Sequence, residues 1–334
     1  MYKVGRTWSL EYFESIYARV GMHFDGYYPE SRTGEFGYEM VLDGLKKGIF
    51  EKGEGGAVIF PGGKYKLHNR VFINSMNLPT YEAKDFGNAV CKYKDFPYDK
   101  SIIVTGNEIN AYFKVVLKAL FLYKKELSEA TYHIGHGMVR LPEGKMSSRT
   151  GKIIKGEWVL DEAKRRLLEA HKMNDDVAEK VAQAAIKYAF LRQGIGGDIA
   201  FDFDTSLSFD GNSGPYLQYT VARCNSVIQK APTFKEENLQ GAYSNLNNEE
   251  LSVLRSLVRF SEVITNAAKN YSPNLLCNYL YDLAQKFNTF YNKWSILTNS
   301  DQQVTNFRLS LTCGVGQVLK NGLKLLGIEA PEKM

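Results

Sequence analysis

The sequence predicts a partial Rossmann-like α/β domain followed by an all-α helical bundle. Three observations predict it. Ile102-Ile103-Val104 passes through Thr105-Gly106-Asn107 into a helical pattern over 109–126, the strand–turn–helix unit of a parallel sheet. The short apolar runs bounded by turn residues all lie before residue 155. After 155 the pattern is helical and Gly and Pro become scarce. The 334 residues suffice for two or three domains, and the change of character divides them into 1–155, 156–210 as a helical connection, and 211–334.

The elements follow in order. Residues 9–20 read as a helix with Ser9 as N-cap, and 37–48 as a second helix ended by Gly48. Ala57-Val58-Ile59-Phe60 reads as a strand, Pro61-Gly62-Gly63 as a turn and Val71-Phe72-Ile73 as a second strand. The strand at 102–104 and its helix come next, then a strand at either 131–134 or 138–141. A helical pattern covers 157–191, Gly194-Ile195-Gly196-Gly197-Asp198 marks a loop, and Pro215 suits the first turn of a helix running to about Lys230. Residues 232–247 are polar and read as a linker; helices are expected near 248–270, 273–295 and 305–326.

Composition sets bounds on function. With 44% hydrophobic and 24% charged residues the chain is an ordinary globular sequence. Its net charge of +5 and pI of about 8.7 permit an RNA partner without demanding one. Cys91, Cys224, Cys277 and Cys313 form no C-x-x-C pair, so no structural metal or disulfide framework is expected. Met1-Tyr2-Lys3-Val4 opens no signal peptide and no apolar stretch reaches membrane-spanning length, so a cytoplasmic protein without membrane contact is expected.

The densest chemistry lies in Gly144-Lys145-Met146-Ser147-Ser148-Arg149-Thr150-Gly151, where two glycines bracket two cations and three hydroxyls. Such a loop suits a polyphosphate whose charge grows during reaction, because a lysine that closes late stabilises the transition state more than the ground state; a solvated basic turn is the plain alternative. No Walker A string is present. The loop resembles the Lys-Met-Ser signature of class I aminoacyl-tRNA synthetases. His133-Ile134-Gly135-His136 spells that family's other signature, yet it ends nine residues before Lys145 (145 − 136 = 9) and follows a helix where the family's element opens one. It is read as a strand leading into the loop, with His133 beside the nucleotide; a His-x-x-His metal site lacks further ligands.

The resemblance narrows further down the chain. Ile186-Lys187-Tyr188-Ala189-Phe190-Leu191-Arg192, Phe201-Asp202, and Gly211-Asn212-Ser213-Gly214-Pro215-Tyr216-Leu217-Gln218-Tyr219 with Arg223 are similar to arginyl-tRNA synthetases, as are Pro79-Thr80-Tyr81 with Asp85 and the ending from Leu326-Gly327-Ile328 to Pro331-Glu332-Lys333-Met334. The stretch from Asp25 to Glu30-Ser31 matches more loosely. The resemblance implies a class I catalytic domain, with arginine held by Tyr81 and Asp85. It further implies Lys145 as the catalytic lysine, with Gly144, Met146, Ser147, Ser148, Arg149 and His133 around ATP. A guanidinium wants a fixed carboxylate and a flat aromatic neighbour, which accords with Tyr81 and Asp85; a Tyr and an Asp flanking a strand end is the bland reading. Two departures stand out. Ser148 replaces the signature's second lysine, as in many arginyl enzymes, and Ile109 stands where the family usually has a Gln, with Asn107 or Glu108 as candidates to compensate.

The same resemblance makes the last domain an anticodon-binding bundle. Tyr216, Tyr219 and Arg223 share one helix face, suited to stacking splayed bases and meeting phosphate; a face packed on neighbouring helices is the alternative. Leu280, Leu283, Phe287, Phe290 and Trp294 repeat at helical spacing as core, leaving Tyr281, Asn288 and Asn292 off that stripe toward RNA. The Asp-rich stretch 198–210 lacks the glycine and final glutamate of a calcium loop and is read as a structural turn.

The expected function is an arginine–tRNA ligase acting on L-arginine, ATP with Mg2+ and tRNA-Arg. Against it stand a non-enzymatic tRNA-binding fragment, one half of a split synthetase and, more remotely, an unrelated nucleotide-binding α/β protein. The family's N-terminal domain and first signature find no match before residue 133, so the chain is expected to be the C-terminal part of the enzyme, with the N-terminal portion absent by design, by gene truncation, or because another chain supplies it. A parallel sheet without its first strands leaves apolar edges unpaired. The α/β part is therefore expected to be poorly stable alone: heating should give a broad transition with binding of a hydrophobe-sensing dye, whereas one cooperative transition without dye binding would count against it.

Overall fold

The computed structural model describes residues 1–140, 155–231 and 246–334. The segment 144–151, carrying Gly144, Lys145, Met146, Ser147, Ser148 and Arg149, lies outside the described residues, as does most of the expected linker 232–247. The elements run α1 (Tyr2–Arg19), α2 (Glu30–Lys46), β1 (Glu51–Lys52), β2 (Val58–Phe60), β3 (Arg70–Ile73), α3 (Tyr81–Asp95), β4 (Ser101–Gly106), α4 (Asn110–Tyr123), α5 (Lys125–Glu129), β5 (Thr131–His136) and β6 (Val139–Arg140). They continue with α6 (Gly156–Ala170), α7 (Asp175–Leu191), β7 (Ile199–Ala200), α8 (Phe203–Leu207), α9 (Gly214–Gln229), α10 (Asn248–Val258), α11 (Phe260–Lys269), α12 (Pro273–Lys293) and α13 (Gln302–Leu325).

By their contacts the residues fall into two compact units. One comprises 23–138 with 195–198; the other comprises 1–22, 139–194 and 199–334.

The first unit holds an antiparallel β1-β2-β3 sheet and a parallel pair, β4 with β5, in register from Ser101 opposite Thr131 to Gly106 opposite His136. Its core is aromatic. Phe50, Phe60, Phe72 and Phe86 are fully buried and meet edge-on or tilted, Phe72 and Phe86 at 5.9 Å and 89°, the arrangement ring quadrupoles favour. Val115, Val116 and Leu120 of α4 close this core. Beside it α2 and α3 pack with their backbones in contact. A Cβ on Gly37 would lie 1.8 Å from the Ala83 carbonyl oxygen, and one on Gly87 would lie 2.3 Å from the Gly37 nitrogen and 2.4 Å from the Thr33 oxygen. The N-terminal end of α3 is tied to β3 through Thr80, whose amide donates to the Phe72 carbonyl at 2.9 Å and whose hydroxyl donates to the Val71 carbonyl at 2.7 Å.

Among its described residues the second unit is helical apart from the short β6–β7 pair. Its largest core joins α7, α9, α12 and α13 through Tyr188, Leu217, Leu280, Leu283, Phe287 and Val315. Gly214 lets the start of α9 lie against α7, since a Cβ there would sit 2.4 Å from the Ala184 oxygen. Within the bundle Arg308 and Glu250 form a buried ion pair at 2.8 Å, and Glu250 also completes a capping box with Asn247 at the start of α10. No residue of α1 is buried; Arg19 anchors it to Asp161 at 2.7 Å and Glu179 at 2.9 Å, and Tyr12 donates to Glu157 at 2.8 Å.

Several expectations shift. The helix expected from Ser9 begins at Tyr2, because one glycine at position 5 is too weak a break to stop it. The pattern over 157–191 is two helices, parted at 171–174 where Asn174 caps α7; that over 248–270 divides near Arg259. The stretch 198–210 is more than a turn, for β7 pairs with β6 and Asp202 caps α8. Helix α3 went unread. No helix among the described residues is long and apolar enough to cross a membrane.

The α2–α3 contact gives a direct test. Gly87→Ala is expected to cost at least about 3 kcal/mol, because the backbone itself must move. Gly63→Ala, where the nearest atom would be Asn69 Oδ1 at 3.5 Å, should cost under about 1 kcal/mol. Urea denaturation of both variants checks the difference.

Candidate functional site

Three elements of the first unit carry the candidate residues. Helix α3 begins at Tyr81 and places Tyr81 and Asp85, four apart, on one face. Strand β5 places His133 beside β4. Helix α4, which leaves the C-terminal end of β4, lies between them and contributes Tyr112 and Phe113 as consecutive residues.

Tyr112 and Phe113 turn to different partners. The Tyr112 hydroxyl donates to Asp85 Oδ2 at 2.6 Å. Phe113 stacks on the His133 imidazole at 4.1 Å and 17°, and His133 Nε2 lies 2.7 Å from Thr105 Oγ1. Burial lowers the His133 pKa, which favours the neutral ring.

Asp85 sits among charges. Burial raises its pKa, opposed by the Tyr112 hydrogen bond, while Glu30 and Glu82 raise it further and Lys92 lowers it. The Tyr112 hydroxyl is held protonated by burial and by the Asp85 charge, so it is a permanent donor. Arg70 of β3 donates to Glu82 at 3.3 Å, and its guanidinium lies 5.6 Å from the centre of the Tyr112 ring. Lys84 pairs with Glu30 at 2.7 Å and lies 4.8 Å from the centre of the exposed Tyr81 ring. Burial pushes the Lys92 ammonium down while Asp85 pulls it up; Lys92 donates to Ser101 Oγ at 2.8 Å. Tyr112 has no role in the sequence analysis, although a tyrosine one helical turn past Ile109 was the available signal.

The C-terminal ends of β4 and β5, where ligands sit in open α/β sheets, are crowded with small residues. A Cβ on Gly135 would meet Asn110 Oδ1 at 2.0 Å, and Asn107 Nδ2 donates to the Gly196 carbonyl at 3.1 Å. Asn107 is thus engaged away from Asp85. Ile109 is exposed at the entrance to α4. Strand geometry also bears on the His133-Ile134-Gly135-His136 tetrapeptide: residues three apart on a strand face opposite ways, and His136 turns to the Gly137 carbonyl at 2.8 Å.

In the helical unit, Tyr216 and Arg223 of α9 turn to Asn288 of α12, while Tyr219 lies exposed beside Arg223 and meets the Phe209 ring edge-on at 6.2 Å. Arg223 donates to Asn288 Oδ1 at 2.6 Å and lies 4.9 Å from the ring centres of both Tyr219 and Tyr291. Asn288 Nδ2 donates to the Tyr216 hydroxyl at 2.9 Å and to Thr220 Oγ1 at 3.2 Å. Tyr219 and Tyr291 remain exposed and, with Arg223, Trp294, Lys230 and Lys333, line an open cleft of about 820 Å³. The resemblance-bearing strings around them meet at a helix junction: the Tyr188 hydroxyl lies 2.6 Å from Asn212 Oδ1, Arg192 donates to the Asn212 carbonyl, and Ser213 caps α9. Among the described residues, no cluster of three or more His, Cys, Asp or Glu is placed to hold a metal.

The first unit thus offers a parallel strand pair with polar side chains gathered beside it, and the second a helical bundle with an aromatic–arginine face. Residues 13–203 match the family model for the catalytic domain of class I (R) tRNA synthetases, and 217–334 match the DALR anticodon binding domain. The chain belongs to the class I (R) tRNA synthetase family. It is 34% identical over its whole length to an arginine–tRNA ligase of Bacteroides thetaiotaomicron, of which it covers 58%. Among solved structures it is similar to the Thermus thermophilus arginyl-tRNA synthetase, with a TM-score of 0.74 and 26% identity over 91% of this chain and 59% of that one. It shares its fold with the Plasmodium falciparum arginyl-tRNA synthetase, with a TM-score of 0.79 and 22% identity over 98% of this chain and 57% of that one. The chain thus spans rather more than half the length of the proteins it matches.

The α9–α12 clamp can be tested on stability alone. Asn288→Ala removes the acceptor for Arg223 and the donor to Tyr216, and is expected to cost about 1–2 kcal/mol, since a hydrogen bond to a charged group is involved. Tyr216→Phe, which leaves Arg223 bonded, should cost less; denaturant midpoints of the two variants decide.

Proposed function

We propose that the chain performs the chemistry of an arginine–tRNA ligase. ATP, with Mg2+, and L-arginine give arginyl-adenylate and pyrophosphate, and the arginyl group passes to the terminal ribose of tRNA-Arg. The observation that carries this reading is the Asp85 carboxylate, held in place by Tyr112, set near Glu30 and Glu82, and one helical turn from an exposed Tyr81. This is chemistry for a guanidinium. In this reading residues 1–155 form the catalytic part, 156–210 the connection and 211–334 the anticodon-binding part, in a cytoplasmic enzyme. Lys145 meets the phosphates, with Gly144, Met146, Ser147, Ser148, Arg149 and His133 around the nucleotide.

Tyr216, Tyr219 and Arg223 face tRNA, and the clamp on Arg223 refines their roles. A guanidinium held by Asn288 and flanked by two tyrosines is a rigid layer for base stacking more than a free phosphate ligand.

A second reading, a tRNA-binding chain without ligase activity or one half of a split enzyme, draws on Ile109, an apolar residue at the helix entrance where the family usually places a Gln. Arginine-dependent exchange of pyrophosphate into ATP, and charging of tRNA-Arg, separate the readings. They should be measured on the chain alone and with an N-terminal synthetase piece from the same genome. Activity in either mixture supports the ligase, and activity only in the second supports a split enzyme. Specific tRNA-Arg binding without activity in either supports the tRNA-binding chain. Wherever exchange is seen, Lys145→Ala should slow it by roughly a hundredfold to a thousandfold, as loss of a preorganised charge contact does, with little change in stability; an unchanged rate would remove Lys145 from the chemistry.

A further inference from the structure

We propose that Tyr112 is a positioning residue for arginine recognition: its hydroxyl fixes Asp85 through Oδ2 and leaves Oδ1 for the incoming guanidinium. The inference rests on the arginine-binding reading of Asp85 and adds to it a residue that this reading does not contain.

Geometry carries it. A carboxylate on a helix rotates about its last torsion unless something holds one oxygen. A single strong donor, 2.6 Å from Oδ2, does so here, and no other hydrogen-bond donor to Asp85 is seen among the described residues. Fixing one oxygen orients the plane of the carboxylate, and a planar guanidinium rewards an oriented plane more than an ammonium does.

Tyr112 is itself held. Its ring lies 5.6 Å from the Arg70 guanidinium, which is anchored by Glu82, and it meets Phe113 edge-on at 5.1 Å and 82°. The donor therefore comes from a packed side chain on a regular helix and not from a loop. It stands one helical turn beyond Ile109, and it is from position 112 that α4 reaches Asp85.

The groups that act electrostatically on Asp85 are Glu30 on α2, Glu82 and Lys92 on α3, and Tyr112 on α4, of which Glu30 and Glu82 are themselves paired with Lys84 and Arg70. Two of the four are carboxylates that oppose its ionisation, so the hydroxyl bond also helps keep Asp85 charged. Removing the bond should raise the Asp85 pKa further. Because only the ionised form pairs with a guanidinium, arginine binding should then fade at a higher pH as acid is added.

The experiment uses the whole chain with aspartate carboxyls labelled with carbon-13, titrated with L-arginine, and compares wild type, Tyr112→Phe and Asp85→Asn. The Asp85 resonance, assigned by its loss in Asp85→Asn, is followed against pH with and without arginine. In wild type arginine should bind and Asp85→Asn should abolish binding. Tyr112→Phe should weaken arginine binding about tenfold, the worth of a hydrogen bond to a charged group, and shift the Asp85 midpoint upward with the fold intact by circular dichroism. Arginine binding lost in Asp85→Asn but unchanged in Tyr112→Phe, with an unmoved midpoint, overturns the role of Tyr112 and leaves the arginine site standing. Wild type that binds no arginine, or binds it equally well as Asp85→Asn, overturns the arginine site and the proposal with it. A weaker affinity with an unmoved midpoint would mean that Tyr112 acts only through packing, and would also overturn it.

Discussion

The backbone contact between α2 and α3 is the constraint on which the candidate site depends. Two glycines, Gly37 and Gly87, let the helices approach until main-chain atoms touch. That approach sets Phe86 into the aromatic core and, one residue before it, sets Asp85 half-buried toward α4. Buried carboxylates are costly unless something compensates them. Here the compensation is one hydroxyl and the Lys92 charge, with two further carboxylates acting against it. A deeper seat would protonate Asp85; a shallower one would leave it in water, where an ion pair with a guanidinium is worth little.

The helical unit is organised on the opposite principle, with its conspicuous charges already paired. Arg308 and Glu250 are buried together, and removing either alone would leave a charge whose cost is about 3–5 kcal/mol. Arg223 is bonded to Asn288 and flanked by two tyrosines. The strings that most resemble the family around 186–192 and 211–219 serve this architecture: Tyr188, Arg192, Asn212, Ser213 and Gly214 lock α7 to the start of α9. A motif can thus be specific to a family because it builds a joint, while the surface that the joint presents does the recognising.

How far the sequence could be read follows from the range of each interaction. The strand–turn–helix unit of β4 and α4, the proline of α9 and the long apolar periodicity of α12 are local signals, and all were legible. Helix α3 was hidden because its mixed lysines, small residues and single buried aromatics look like a loop until Gly87 is seen against Gly37. The splits at 171–174 and near Arg259 leave the apolar period nearly in phase, so periodicity alone runs across them. Tyr81 and Asp85 emerged only through resemblance. The bond from Tyr112 to Asp85 spans 27 residues of chain, so the tyrosine one turn past Ile109 could mark a candidate but not its partner.

The charge pattern around Asp85 also bears on which cation would be accepted. A lysine-like ammonium is compact and strongly hydrated, so moving it to a half-buried carboxylate forfeits much water; a guanidinium is more weakly hydrated and is planar. The nearby Arg70, lying over the Tyr112 ring and bonded to Glu82, shows that this neighbourhood already accommodates one guanidinium against an aromatic face. Glu30 and Glu82 are themselves paired, with Lys84 and Arg70, so the charge left over to attract a cation is chiefly that of Asp85, and that pull does not discriminate between the two kinds. Discrimination must come from geometry at short range, where an oriented carboxylate beside an aromatic ring favours the flat ion. In such a site attraction comes from charge at any angle, and choice from the carboxylate whose plane is fixed.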